Sequence, residues 1–588
     1  TSNKTVTITN APSVAQLVSI NAATTGAITL STADGALSGS AANLVLAFAG
    51  TVTEHTGTVT ITDAPTLAQL VTINAETTGA ITLNDASANY SGSAANLVLA
   101  FAGTVTTHTG TVTVTDALSV TNANTIDAAT SGVITASITD DATDLATLTG
   151  TGNNYTITFG NTDAASLAEL VTINAATTGA LTLNALTVAA NLSGSSANLT
   201  SAFAGTVTTH TGTVTLTDAP TVAQLVSINA ASTGAITLNV TNGALSGSAA
   251  NLVLAFAGTV TEHTGTVTIT DAPSVAQLVT INAETTGAIT LSTADGALSG
   301  SAANLVSAFA GTVTTHTGTV TITDTPTVAQ ANTIDAATSG AITATFADDA
   351  TDLATLTGTG NAYTVTISEG STATIAELVT INAATTGGIT LSTETIAANY
   401  SDTVANLTSA FAGITTHTGT IEVTGAAPTV AQANILDAVT AGVITATIET
   451  DGAADLATLT GTGNAYTITL ANTEVATIAR LKTINDATTG TVTLNATTIA
   501  ANFDDTAANL NSAFTGITSH TGTLTLSAGA AAATIAQLKT INAATTGTVT
   551  LNANTISQAY SDTAANLVSA FTGIATHTGT IEVTGAAP

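Results

Sequence analysis

Thr5-Val-Thr-Ile-Thr9 alternates hydroxyl and branched apolar side chains with a period of two. That period puts Val6 and Ile8 on one face of a β-strand and Thr5, Thr7 and Thr9 on the other. The alternation returns at Ala27, Thr58, Ala80, Thr111, Val133, Tyr155, Ala180, Thr213, Ala235, Thr266 and Ala288. It continues at Thr319, Ala341, Tyr363, Gly388, Thr420, Val443, Tyr466, Thr491, Thr523, Thr548 and Thr580. These are 23 predicted strands, separated by steps of 22 to 33 residues.

Three kinds of connector join them. In the first, Ser13-Val-Ala-Gln16 has the form of a capping box, in which the serine and the N3 side chain satisfy each other's backbone amides. It recurs at Thr66, Ser166, Thr221, Ser274, Thr327, Thr374, Thr429 and Thr534, and degrades at Ser119 and Thr477, where Asn122 and Arg480 occupy N3. Val14, Leu17, Val18 and Ala22 carry helical spacing and predict one buried face. Gly26, Gly79, Gly132, Gly179 and Gly234 end these helices and are expected as left-handed caps. The second connector, Ser40 to Phe48, ends on Gly50 and adds Thr51-Val-Thr-Glu-His55-Thr-Gly57; it occurs eight times. The third runs from Asp144 to Asn153 and recurs from Asp352 and Asp455, each time before a strand marked by Tyr155, Tyr363 or Tyr466.

Strands joined by helices through short links predict parallel pairing and right-handed crossovers. A strand-helix coil of 22 to 33 residues is close in length to a leucine-rich-repeat coil, although that consensus is not met. The expected fold class is an α/β solenoid of about 22 to 23 right-handed coils, with one long parallel β-sheet and a single layer of helices. No linker composition interrupts residues 1–588, which read as one continuous repeat array. Residues 460–588 read as diverged C-terminal repeats, because they hold Arg480, Lys482 and Lys539. Histidine spacings suggest a longer period of about 53 or about 102 residues. The chain lacks an initiating Met, and its last residues, Gly585 to Pro588, repeat Gly425 to Pro428, which precede a helix. The expectation is a window on a longer array, or a subunit that polymerises by strand addition.

Charge narrows the function. There are 37 acidic against four basic residues, a net charge of -33. Nothing is available to neutralise phosphates, so nucleic acid is excluded as a partner, as is adsorption to an anionic membrane. No apolar run reaches membrane-spanning length, so no membrane insertion is expected. Cysteine is absent, which leaves packing and hydrogen bonds to hold the chain. Low Lys and Arg with abundant Thr, Ala and Gly fits a secreted protein of the cell surface.

Four features carry candidate chemistry. The eight histidines, from His55 to His577, all stand in His-Thr-Gly. As copies two or four coils apart they would lie about 10 Å or more from one another, too far to share an ion, so each reads as a turn residue bonded to the neighbouring coil. Asp140, Asp141 and Asp144, then Asp348, Asp349 and Asp352, then Glu449, Asp451 and Asp455 gather oxygen ligands suited to calcium, the one cofactor considered. A helix N-terminus that favours acids explains the same clusters. Gly150-Thr-Gly152 lacks the rest of a nucleotide loop and reads as a bend. The outward threonines form a regular face that could be a solvated ladder, a pairing surface, or a binding face for ice or glycan. No nucleophile, base and acid group together, and no enzyme is expected.

The phrases Ala-Asn-Thr-Ile-Asp-Ala and Asp352-Leu-Ala-Thr-Leu-Thr-Gly-Thr-Gly-Asn-Ala-Tyr-Thr-Val-Thr366 resemble giant repetitive extracellular surface proteins of marine bacteria, similar to the cell-surface motility proteins of swimming marine cyanobacteria. The resemblance covers repeat phrases along nearly the whole chain. It implies an extracellular, non-enzymatic, acidic protein forming a fibre, sheath or surface layer. Its expected partners are copies of itself, end to end or lateral, and cell-surface polysaccharide. The basic residues after position 460 depart from that pattern.

Overall fold

The computed structural model describes residues 1–32 and 34–585. Strands and helices alternate, and every strand pairing is parallel. All 23 predicted strands are among the 31 strands described, so eight were missed. The eight are Leu37–Gly39, Tyr90–Gly92, Leu192–Gly194, Leu245–Gly247, Leu298–Gly300, Tyr400–Thr403, Phe503–Asp505 and Tyr560–Thr563. Each precedes a helix of the second connector and carries a single large apolar residue, too little for a period of two to show.

Those eight strands change the sheet. Each one opens a new sheet, so the strands form nine parallel sheets of two to five strands, where one long sheet was expected. The cause is a shift in pairing at the second connector. Leu37–Gly39 pairs with Val59–Ile61, while the residues between them return to the earlier strand through the single bridge Ile28↔Val52. The same single bridge recurs at Ile81↔Val105, Ile236↔Val260 and Ile289↔Val313. By packing, the described chain divides into two compact units, Thr1–Ala294 with Ala308–Thr314, and Asp295–Ser307 with the residues from Thr315 on. Each unit is built from these strand-helix repeats. A long period of 208 residues relates the helices Val14–Ala23 and Val222–Ala231, and the strands Ile134–Asp140 and Ile342–Asp348.

Local chemistry explains the helices. All nine intact capping boxes form, from Ser13 with Gln16 to Thr534 with Gln537. At Ser119 and Thr477 the hydroxyl still accepts the N3 amide, but Asn122 and Arg480 return nothing. The buried face differs from the expected one. In Leu67–Ala75, Leu70 and Ile73 are fully buried, and in Val14–Ala23 the buried residues are Val14 and Leu17, with Val18 half-buried and Ala22 exposed. Burial thus follows the Val-x-x-Leu-x-x-Ile spacing, a narrow stripe suited to helices only two or three turns long. Leu44, Leu97, Val59 and Ile61 meet that stripe and are also fully buried.

The glycines after these helices are not left-handed. Positive φ occurs at Gly50, Gly103, Gly258 and their equivalents after the second connector, and not at Gly26 or Gly79. Gly79 is required for a different reason: a Cβ there would overlap the carbonyl oxygen of Gly57 in the preceding repeat. Backbone meets backbone at that point, and nothing larger than hydrogen fits. Gly79→Ala is therefore expected to cost at least about 3 kcal/mol, as forced overpacking against a fixed backbone does. Gly103→Ala, at φ +69 with open space around it, is expected to cost only about 1 kcal/mol. Local hydrogen exchange over residues 55–83 and 99–106 would compare the two, and equal losses of protection would contradict this explanation.

Candidate functional site

One buried polar residue recurs at the same ladder position. His55, His108, His210, His263, His316, His417 and His520 are 0 to 2 % exposed, and His577 is half-exposed. Each buried ring sends Nε2 to a carbonyl 19 or 20 residues earlier, from Gly35 for His55 to Ala501 for His520, at 2.5 to 2.9 Å. A carbonyl only accepts, so Nε2 carries the proton. In six of the seven, Nδ1 meets a Thr or Ser hydroxyl 22 or 23 residues on, as His108 meets Thr130 at 3.1 Å. The rings pack on phenylalanines, with His55 5.9 Å from Phe48 and His108 5.4 Å from Phe101. Six of the seven rings therefore bridge the segments before and after their own, His520 Nδ1 being buried without a partner, and no buried ring offers a free nitrogen pair for a metal.

The hydroxyl partner works in both directions. Thr77 Oγ1 donates to the His55 carbonyl at 2.9 Å and accepts from Gly79 N at 3.0 Å. This accounts for the recurring Thr-Thr-Gly. In the three repeats without histidine, Asn153, Asn361 and Asn464 take the ring's place in the ladder. Asn153 Nδ2 donates to Asp127 Oδ1 at 3.0 Å, and its Oδ1 accepts from Ile134 N at 2.9 Å.

Two further columns went unnoticed in the sequence. Asn74 Nδ2 reaches the carbonyls of Leu99, Ala100 and Ala102 at 2.7, 3.2 and 2.8 Å, closing the end of the next helix. Asn21, Asn174, Asn229, Asn382, Asn485 and Asn542 act alike. Asp63, Asp116, Asp218, Asp271 and Asp324 each place Oδ1 2.7 Å from the first amide of the preceding helix, 22 residues back. The recurrence of Ile-Asn-Ala and Thr-Asp-Ala-Pro was the available signal; their partners lie a whole repeat away, beyond any local motif.

The acidic candidates separate. Among the described residues, only Asp348, Asp349 and Asp352 come together, with ligand atoms within 4.8 Å of one another. Two of them are already committed. Asp348 Oδ1 accepts from Asp349 N at 3.0 Å, and Asp349 Oδ1 accepts from Asp352 N at 2.8 Å, capping the four-residue helix Ala350–Leu353. Three carboxylates fall short of the six to eight oxygens calcium takes. Asp140 and Asp451 accept neighbouring amides, Asp141 precedes the helix Ala142–Leu145, and Asp144 lies in its first turn. Asp455 lies in the first turn of Ala453–Leu456, after Glu449, and Glu474 beside it pairs with Arg480 at 2.9 Å. The acids serve the short helices, and calcium gains no further support.

Outward threonines align within each sheet, as in Ser38↔Thr60↔Thr82 and Ser246↔Thr268↔Thr290, and are exposed or half-buried. Glu422 and Asp504 interrupt the row in later sheets. Gly152 at φ +77 and Gly360 at φ +78 make the expected bend before the strands Asn154–Phe159 and Ala362–Ile367. No described helix is long and apolar enough to cross a membrane. The chain matches no family model and no curated protein.

Burial lowers the titration of His108, His210, His263, His417 and His520 below the ordinary 6.5, against the opposing pull of each backbone carbonyl. Stabilisation from these neutral rings is complete above 6.5 and is lost as pH falls from 6.5 toward the lower folded values. Glu377 is lowered from 4.5 chiefly by the Thr374 amide, so its contribution survives that window and is lost below 4.5. Acidification also relieves the general repulsion of a net charge of -33, which acts in the opposite sense. The urea midpoint of the native chain is therefore expected to fall more between about pH 7 and about pH 5 than that of a His108→Gln, His210→Gln, His263→Gln variant. Equal pH slopes would contradict it.

Proposed function

We propose that the chain is a non-enzymatic structural protein of the cell exterior, built as an α/β solenoid and working by stacking repeats into a fibre, sheath or surface layer. The observation that carries this reading is the reach of the recurring polar side chains, buried for His and Thr and less so for Asn and Asp. His, Thr, Asn and Asp side chains each bond to the repeat before or after, 19 to 30 residues away, so a repeat is completed only by its neighbours. That is the logic of a stack, in which stability sums over interfaces. The absence of a unique break in the regularity among the described residues supports a mechanical role over catalysis.

The in-register outward Thr rows support a second reading, an adhesin or a module that binds ice or glycan through that face.

Small-angle scattering on the full chain is expected to give the length distribution of an elongated rod, and a compact globular profile would overturn the solenoid. Replacing Thr29, Thr60, Thr82 and Thr113 by Lys should leave that profile unchanged; loss of an ice or glycan interaction in the same variant would select the second reading over the first.

A further inference from the structure

Two depressions share one lining. One, of 390 Å³, is bounded by Asp335, Thr338, Ser339 and the Thr357-Gly-Thr-Gly-Asn361 loop. The other, of 310 Å³, is bounded by Asp127, Thr130, Ser131 and the Thr149-Gly-Thr-Gly-Asn153 loop. Both volumes fall within the range of small-molecule sites. They arise where the histidine ring of other repeats is replaced by the smaller asparagine and the loop is shortened. Asn361 and Asn153 stand at the ladder position of His55 and His108.

The walls define the ligand by exclusion. Their surface is overwhelmingly polar, made of Thr and Ser hydroxyls, glycine backbone and one carboxamide. There is no aromatic ring, no cation for a phosphate or carboxylate, and no aliphatic side chain except Val133 in one depression and Ala341 in the other. The one formal charge is the Asp carboxylate. Asn361 Nδ2 holds Asp335 Oδ1 at 3.0 Å and Asn153 Nδ2 holds Asp127 Oδ1 at 3.0 Å, while Oδ2 of each makes no hydrogen bond. The fixed carboxylate oxygen accepts from one ligand hydroxyl, and the loop hydroxyls of Thr151 and Thr359 in the same linings can donate to or accept from a vicinal one, whereas Thr130 and Thr338 already donate to the His108 and His316 carbonyls. We infer that these two depressions are binding sites for a neutral polyhydroxylated ligand the size of one sugar ring. The inference is independent of the stacking role and of the outward Thr face.

The third copy of the loop supplies an internal comparison. There Thr460 Oγ1 donates to Asp437 Oδ2 at 3.3 Å and takes up the oxygen that is open in the other two. Ligand is assigned to the Asp127 and Asp335 sites and not to that of Asp437.

Saturation-transfer NMR on the full chain, with D-glucose, D-galactose, D-mannose and D-xylose as separate probes, tests this. At least one sugar is expected to give a saturable signal, while inorganic phosphate gives none. The double variant Asp127→Asn, Asp335→Asn should weaken binding by about tenfold, the loss of a charge-assisted hydrogen bond at each site. Ser131→Tyr with Ser339→Tyr fills both mouths from exposed positions and should abolish the signal with the circular dichroism unchanged. If the aspartate variant unfolds, the tyrosine variant decides. No saturable signal with any sugar, or one that survives the tyrosine pair, overturns the inference. So does a saturable calcium titration without a sugar signal, which would make these cation sites.

Discussion

A chain with no cysteine and only four basic residues has few ways to fasten one repeat to the next. Apolar packing supplies most of the driving force, but it is non-directional and tolerates slippage. The directional part falls to buried polar groups, each of which is costly unless its partner is in place. For the recurring His, Thr and Asn side chains a partner lies in the neighbouring repeat. His55 needs the Gly35 carbonyl, Thr77 needs that of His55, and Asn74 needs the last turn of Ala94–Ala100. Register, repeat length and the glycine contacts all follow from this requirement. A repeat displaced by one residue would strand a carbonyl, an amide and a ring nitrogen together.

The same requirement explains the variation. Where histidine gives way to Asn153, the residue on the helix changes from asparagine to Asp127, because the incoming group is now a donor. Where Arg480 replaces the capping-box acceptor, Glu474 moves in to pair with it at 2.9 Å. Substitutions come in matched pairs that touch, 26 residues apart for Asp127 with Asn153 and six for Glu474 with Arg480, as expected when additivity fails for groups in contact.

Much of this was legible in the sequence and part was not. The 23 predicted strands and the nine intact capping boxes rest on local rules, a period of two and a three-residue reach, and local rules survive folding. The eight missed strands, such as Leu37–Gly39, were invisible because each carries a single large apolar residue, and with them went the division into nine sheets. Gly79 was read as a cap because its neighbour's backbone, 22 residues earlier, could not be seen. The histidines were placed correctly as bonds to the adjacent repeat. The acidic clusters looked like ligands for calcium, yet they lie at the starts of helices of four residues, where Asp349 caps its helix and Asp140, Asp348 and Asp451 accept neighbouring amides. The Asp335 depression could not be read at all, since its walls come from two loops that only the pairing of Asn361 with Asp335 brings together.

The claim that buried polar groups fasten each repeat to the next is tested most directly by native-state hydrogen exchange on an Asn74→Leu chain. That side chain keeps the size and removes only the bonds to Leu99, Ala100 and Ala102. The account predicts that protection is lost at the amides of Phe101 and Thr106, which bond to Leu97 and Ile81, while amides two repeats away keep theirs. Unchanged protection at Phe101, or an equal loss along the whole chain, would contradict it.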